Sequence, residues 1–203
     1  MNGNNILIIN MHGQWEFSPG GLSGAVVDTM SEKLRSLGYD VRASKVEGEY
    51  SVEDELEKHL WADIVIHQIP VNWMGVPWKA KKYMDEVYMA GISGQLCNGD
   101  GRNAEQPKKN YGTGGTQKGK RYMLSLTFNA PEEAFGDPDE WFFQGKSVDD
   151  LFLPHHLNFR FFDMEPLETF VIFDVLKNPQ VETAFEQLDA HLESQFVRVA
   201  EAA

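Results

Sequence analysis

Residues 63–88 read DIVIHQIPVNWMGVPWKAKKYMDEVY. Ile64, Val65, Ile66 and Ile69 form a short β-branched run, the pattern of a strand buried on both faces. Pro70 ends that run. Pro77 stands where a helix takes its first residue, since its fixed φ suits that position and its missing N–H is not needed there. Between the prolines lies a short loop with Trp73 and Gly75. A buried strand, an aromatic loop and a helix N-terminus make a crevice at the strand's carboxyl end, the place where open α/β sheets bind ligands.

The same unit recurs on either side. Asn5–Asn10 (NILIIN) reads as a first buried strand. Residues 11–24 (MHGQWEFSPGGLSG) form a polar, glycine-rich loop. A helix follows with Val26 or Val27, Met30, Leu34 and Leu37 at helical spacing, Ser23 as its expected N-cap and Gly38 as its stop. Such a loop leaves amides facing a ligand, and the helix N-terminus adds partial positive charge, which suits phosphate. Gly-Gly with two serines also describes ordinary turns. Residues 41–46 read as an edge strand with one wet face. Val52, Leu56 and Leu60 mark a short helix whose other face is acidic. The βαβαβα order predicts a parallel sheet with right-handed crossovers.

Residues 98–121 (NGDGRNAEQPKKNYGTGGTQKGKR) break the pattern. Arg102, Lys108, Lys109, Lys118, Lys120 and Arg121 face only Asp100 and Glu105, a net +4 in a chain of formal charge −13. Such a loop is either a solvated excursion or a flap over an anionic cofactor, with Tyr111 available to stack or hydrogen-bond. A fourth strand, residues 122–127, runs into Phe128, Asn129, Ala130 and Pro131. Residues 147–162 read as one helix with Ser147 and Asp150 as a capping pair and with Leu151, His155, Asn158 and Phe162 on one face. A fifth strand is expected at 167–173. Asn178-Pro179 opens a last helix with Val181, Phe185, Leu188, Leu192 and Phe196 in one stripe, and the final residues are expected to fray; those beyond 196 lie outside the described structure.

In a five-stranded doubly wound α/β sheet of order 2-1-3-4-5, the loops at 11–24, 71–75 and 127–131 converge on one crevice. The first offers amides and hydroxyls for phosphate; the other two offer walls for a flat ring. Phosphate and a flat ring at this position point to a flavin. Neither G-x-G-x-x-G nor G-x-x-x-x-G-K-[ST] is present, which disfavours a dinucleotide-fingerprint or P-loop reading.

The charge argues against nucleic acid as a partner. No apolar run is long enough for a membrane span, and no signal peptide is expected. Cys97 is the only cysteine, which fits a cytoplasmic location. One domain is expected over 1–203, with the excursion at 98–121. His155 and His156 are adjacent on a helix, diverge, and make a poor metal pair, so no metal is expected. His67 is expected in the core. His12 is expected near a nucleotide or phosphate, or in a purely local role.

The sequence resembles the bacterial NADPH-dependent quinone reductases known as modulator of drug activity B, within the flavodoxin-like family that includes DT-diaphorase. The resemblance is carried by residues 61–88, by DGRNAEQPKKNYGTGG at 100–115, by GKRYMLSLTFNAPEEAF at 119–135 and by FFDMEPLETF at 161–170. It implies a flavodoxin-like fold and a homodimer that binds FAD. It further implies two-step, ping-pong hydride transfer from NADPH to a quinone, with the flavin rather than a protein triad at the centre. Ser18, Pro19, Gly20, Gly21, Leu22, Ser23, Gly24 and Ala25 would hold the diphosphate. Val71, Asn72, Trp73 and Met74 would line the flavin ring, and Thr127, Phe128, Asn129 and Ala130 would close its other edge. Tyr111 would be a further cofactor contact. This chain departs from the pattern at Pro19, which lacks an amide donor, and at Val71-Asn72, where relatives carry a glycine and an aromatic. No tyrosine–histidine pair follows strand four, so no protein proton donor is assigned. An electron carrier, an ancillary subunit of a potassium-efflux system, and an azo or nitro reductase are the alternative activities.

Overall fold

A computed structural model describes residues 4–16 and 18–196. The strands are β1 (Asn5–Asn10), β2 (Asp40–Lys45), β3 (Ile64–Pro70), β4 (Arg121–Thr127), β5 (Glu165–Pro166) and β6 (Phe170–Ile172). The α-helices are α1 (Gly21–Ser36), α2 (Val52–Trp61), α3 (Trp78–Ala90), α4 (Val148–Leu151), α5 (Leu153–Phe161) and α6 (Val181–Phe196). The order across the sheet is β2-β1-β3-β4-β5, with β6 also on β4, and every pairing is parallel. This is the expected doubly wound 2-1-3-4-5 sheet.

Alternation along the strands splits the core in two. Ile6, Ile8, Ile64, Ile66 and Met123 pack beneath α1 and α6, with Val26, Met30, Leu34, Leu188 and Leu192. Leu7, Ile9, Val65, Ile69, Leu124 and Leu126 pack beneath α2, α3 and α5, with Tyr83, Val87 and Phe159. Each large aliphatic side chain so buried contributes about 1.5–3 kcal/mol. That is why residues 6–9 of β1 and 64–66 of β3 read as apolar runs, while edge strand β2 buries only Val41.

Five local expectations are corrected. Helix α1 starts at Gly21, so Ser23 is buried inside its first turn, and the cap position falls to Gly20 with φ 89°. Leu60 is not on the buried face of α2; Glu55 and His59 are, beside Leu56. The polar pair is tolerated because the Tyr83 hydroxyl donates to Glu55 Oε2 at 2.8 Å and lies 3.3 Å from His59 Nε2.

The helix expected at 147–162 is broken in two. Ser147 and Asp150 do form a reciprocal capping box. Phe152 then leaves helical geometry, and α5 restarts with Pro154 in its first turn, where a missing N–H is harmless. The buried face is consequently Phe152, His155, Phe159 and Phe162. The fifth strand is also interrupted. Tyr122 faces Pro166 and Ser125 faces Phe170, so one extra residue is accommodated on the outer strand as a bulge. In α6, Ala184 replaces Val181 and Phe185 on the fully buried stripe.

Among the described residues, no helix is long and apolar enough to cross a membrane. No cluster of His, Cys, Asp or Glu among them is arranged to hold a metal ion.

Candidate functional site

The carboxyl ends of β1, β3, β4 and β6 open into a crevice of two lobes. One, about 420 Å3, is lined by residues 18–23, Thr127, Asn129, Val175 and Leu176, with His12, Pro70 and Val71. The other, about 440 Å3, is lined by Gly13, Trp15, Asn72, Trp73, Pro77 and Leu176, again with His12, Ser18, Pro70 and Val71. The shared lining makes them adjoining parts of one site.

The first lobe is built around the start of α1. No side chain caps this helix and no acidic residue occupies its first turn. The first four N–H groups of a helix have no intrahelical acceptor, so Gly21, Leu22 and Ser23 present amides toward the lobe. With the helix dipole behind them they form a site for an anionic group. Gly20 is required at this turn: its φ is 89°, and a Cβ there would stand 2.6 Å from His12 Nδ1. The His12 N–H of the backbone donates to Asn10 Oδ1 at 3.0 Å, and its ring Nε2 lies 3.0 Å from the Ser18 carbonyl and 3.3 Å from Ser18 Oγ. A carbonyl only accepts, so Nε2 carries the proton. His12 thus braces the turn that exposes the amides.

A second brace holds the preceding residues. Glu47 accepts from the Gln14 N–H at 2.6 Å and pairs with Lys79 Nζ at 2.5 Å, tying the first loop to α3. The Lys79 hydrogen bond, then the Gln14 amide, hold the Glu47 carboxyl below its ordinary range.

The second lobe carries the aromatic wall. Asn72 and Gly75 exchange both backbone hydrogen bonds, at 2.9 and 3.1 Å, around Trp73 and Met74. Both central residues have positive φ, 47° and 63°, as a type I′ turn demands. That turn favours Asn-Gly, yet it holds two large side chains, and Trp73 is 90% exposed at its tip. Across the lobe, Trp15 sits on its own tight turn, exchanging two backbone bonds with Ser18 at 3.1 Å. Strained bulky residues at a ligand crevice are the kind of outlier that points to function.

Of the residues singled out in the sequence, Ser18, Pro19, Gly20, Gly21, Leu22, Ser23, Val71, Asn72, Trp73, Thr127 and Asn129 meet at this crevice. Gly24 and Ala25 lie one step farther along α1, and the Gly24 amide is already bonded to the Gly20 carbonyl. Met74 is beside Trp73 but lines neither lobe. Phe128 is 2% exposed and packs on Phe135, Phe152 and Phe173, while the Ala130 carbonyl accepts from Asp174 N.

Tyr111 is not brought to the crevice within one chain. Residues 98–120 precede β4, so the loop lies at the amino-terminal end of the parallel sheet. There Tyr111 packs edge-on against Phe161, under the Arg102 guanidinium. Sequence reading passed over Trp15, Val175 and Leu176. A tryptophan in a Gly/Ser-rich loop was the available signal for the first; the others carry no pattern.

Of the remaining histidines, His59, His67 and His155 are in the core. His67 Nδ1 and His155 Nε2 are 2.9 Å apart, both rings buried, and burial drives both pKa values down, that of His155 to about 3. Burial likewise lowers His59 to about 4. His156 accepts from the Tyr122 hydroxyl at 2.8 Å on the other side of its helix.

Residues 4–196 match the flavodoxin-like fold family. The chain is 43% identical over 192 residues to NADPH:quinone oxidoreductase MdaB of Haemophilus influenzae, covering 95% of this chain and 99% of that one. It is 42% identical over 191 residues to an uncharacterised protein of Schizosaccharomyces pombe, covering 94% and 96%. Among solved structures, a Klebsiella pneumoniae protein assigned as a quinone reductase superposes with TM-score 0.70 at 24% identity, covering 94% of this chain and 82% of that one. General stress protein 14 of Treponema denticola, solved with FMN, superposes with TM-score 0.61 at 18% identity, covering 95% of each.

Proposed function

Since this chain belongs to the flavodoxin-like fold family, we propose that its crevice binds a flavin and that the protein is an NAD(P)H:quinone oxidoreductase. The observation that carries this reading is the convergence of an uncapped α1 N-terminus with an exposed, strained tryptophan turn in one two-lobed site. The 43% identity to a quinone oxidoreductase over nearly the whole of both chains supports the substrate class.

The residues fit a flavin nucleotide. The Gly21, Leu22 and Ser23 amides and the Ser18 hydroxyl would hold its phosphates, one donor fewer than an amide-bearing residue at Pro19 would allow. Val71, Asn72 and Trp73 on one side and Thr127 and Asn129 on the other would bound the ring. Two adjoining lobes support FAD, whose second ring system a mononucleotide lacks. When bound, the flavin supplies hydride acceptance from NADPH and hydride delivery to a quinone in successive half-reactions. The protein orients and stacks the partners, and Val71-Asn72 would shape the quinone wall.

Tyr111 can join this site only from a second copy of the chain, because its own crevice is at the other end of the sheet. A homodimer that shares Tyr111 across its interface reconciles the two. Extraction and identification of the bound cofactor tests the reading: FAD is expected. A preparation without flavin that cannot be reconstituted with FAD or FMN would overturn it, and FMN alone would overturn the two-lobe argument.

A further inference from the structure

A second pocket, of about 160 Å3, opens between the loop that follows β2 and the first turns of α3. Its lining is Val46, Gly48, Tyr50, Trp78, Lys79 and Lys82. Helical spacing explains the α3 side. Ala80, Tyr83, Met84 and Val87 take the buried stripe of that helix. Lys79 and Lys82, three residues apart, share a neighbouring flank. Tyr50 is fixed opposite them: its ring packs edge-on against Tyr83 at 5.2 Å, and its hydroxyl donates to Glu86 Oε2 at 2.6 Å. Trp78 is 57% exposed.

This pocket adjoins the second lobe of the crevice. Pro77 lines the lobe and its neighbour Trp78 lines the pocket. Gly13 also lines the lobe, and a Cβ on it would stand 3.2 Å from Lys79 Cδ, so the stem of Lys79 forms the partition. The pocket is cationic and aromatic. Lys79 Nζ lies 5.8 Å from the centroid of the Trp78 ring, and Lys82 Nζ lies 5.3 Å from that of Tyr50. Among the described residues, Lys79 pairs with Glu47 and Lys82 with Glu86. An ammonium has three N–H donors, and exposed ion pairs contribute little. A phosphate dianion can therefore share these lysines, or displace Glu86 from Lys82, whose side chain is 53% exposed.

The α1 amides already serve the flavin phosphates, so a second anion pocket beside the crevice calls for a second phosphorylated guest. Of the two nicotinamide coenzymes, NADPH alone carries a phosphate beyond the diphosphate, on the 2′ position of its adenosine. We propose that this pocket reads the 2′-phosphate of NADPH. Lys82 and Lys79 hold the phosphate, the Trp78 face stacks the adenine, and the nicotinamide end runs past Gly13 into the second lobe. Resting on the reading of the crevice as a flavin site fed by NAD(P)H, this assignment adds the coenzyme choice and the residues that make it. Lys82 is the cleaner determinant, because Lys79 also braces the first loop through Glu47.

Two nucleotides test this on the purified protein. Adenosine 2′,5′-bisphosphate carries the adenine and the 2′-phosphate without the nicotinamide, and adenosine 5′-monophosphate differs from it by lacking the 2′-phosphate. In calorimetric titrations the bisphosphate is expected to bind about tenfold or more tightly than the monophosphate. Lys82→Gln is expected to remove most of that difference, and Lys82→Arg to keep it. Lys79→Gln, as a second variant, should reduce it as well, and circular dichroism checks that each variant folds. In quinone reduction, the NADPH-to-NADH ratio of kcat/KM should fall by a similar factor in Lys82→Gln, through KM rather than kcat. Equal binding of the two nucleotides by the unaltered chain, or a preference that survives both Lys82→Gln and Lys79→Gln, would overturn the proposal. Equal turnover with NADPH and NADH would sink the pocket and leave the flavin reading in place. A flavin that neither coenzyme reduces would sink that reading, and the nucleotide titrations would still decide the pocket.

Discussion

Replacing Trp73 by Asn is expected to make the protein more stable and less active. Trp73 occupies the first central position of a type I′ turn at φ 47°. Holding a bulky side chain in the left-handed region costs about 1–2 kcal/mol, and asparagine relieves much of that. The usual counterweight, lost burial, is nearly absent because the side chain is 90% exposed. The net gain is about 1 kcal/mol, which for a chain of 203 residues raises Tm by roughly 2–4 °C. If the indole stacks on a bound ring, its removal costs about 0.5–1.5 kcal/mol of binding. That corresponds to as much as about tenfold in kcat/KM for the quinone. Trp73→Phe is the control: it keeps the strain and a flat ring, so Tm and turnover should stay close to the parent. Thermal unfolding of the flavin-free protein and steady-state quinone reduction read the two effects. A lower Tm in Trp73→Asn would show that the indole is a packing residue, and a gain in stability without loss of turnover would remove Trp73 from the site.

Gly20→Ala should weaken flavin retention about tenfold or more in a fluorescence titration, because its Cβ would drive His12 off Ser18 and distort the turn that exposes the α1 amides; unchanged affinity would refute that role. Tyr83→Phe should lower stability by about 1.5–3 kcal/mol in urea unfolding, since the Tyr83 hydroxyl donates to buried Glu55; a neutral result would mean that Lys58 and Ser44, which both donate to Glu55 Oε1, suffice. Acid should destabilise the fold before carboxylates titrate. His59, His67 and His155 are held neutral by burial, with folded pKa values below the ordinary 6.5. The unfolded chain therefore binds more protons between about pH 6.5 and 4, so stability present above pH 6.5 falls through that window. By pH 5 the loss is about 2 kcal/mol for each of His59 and His155, and His67 adds to it in the same direction. A urea midpoint that does not move between pH 7.5 and 5 would contradict it.

Most of the sheet was legible because β1, β3 and β4 are buried on both faces and so are rich in apolar residues, even though β3 also buries His67 and Gln68 and β4 buries Ser125. Where the chain satisfies polar groups by distant partners, periodicity misled. Glu55 and His59 face inward on α2 because Tyr83 meets them from α3, a pairing no local window shows. The outermost strand was read as continuous because a one-residue bulge leaves no mark on a run such as LETFVIF. Pro154 did mark the break between α4 and α5, but the apolar spacing across it concealed the one-residue shift of face. At the site, the three loop ends were legible from glycines and prolines. Tyr111 was grouped with them by charge and composition, which say nothing about the end of the sheet at which a loop emerges. Strand direction settles that, and it puts the loop before β4 at the end of the sheet away from the crevice.

The central claim is that this crevice holds a flavin that passes electrons from NAD(P)H to a quinone. Mixing the purified protein anaerobically with NADPH in a stopped-flow spectrometer tests it most directly. The account predicts loss of the oxidised-flavin absorbance near the wavelengths of free flavin, then its full return on adding a quinone in the absence of NADPH. A bound flavin that NADPH leaves oxidised, or that stays reduced in the presence of the quinone, would contradict it.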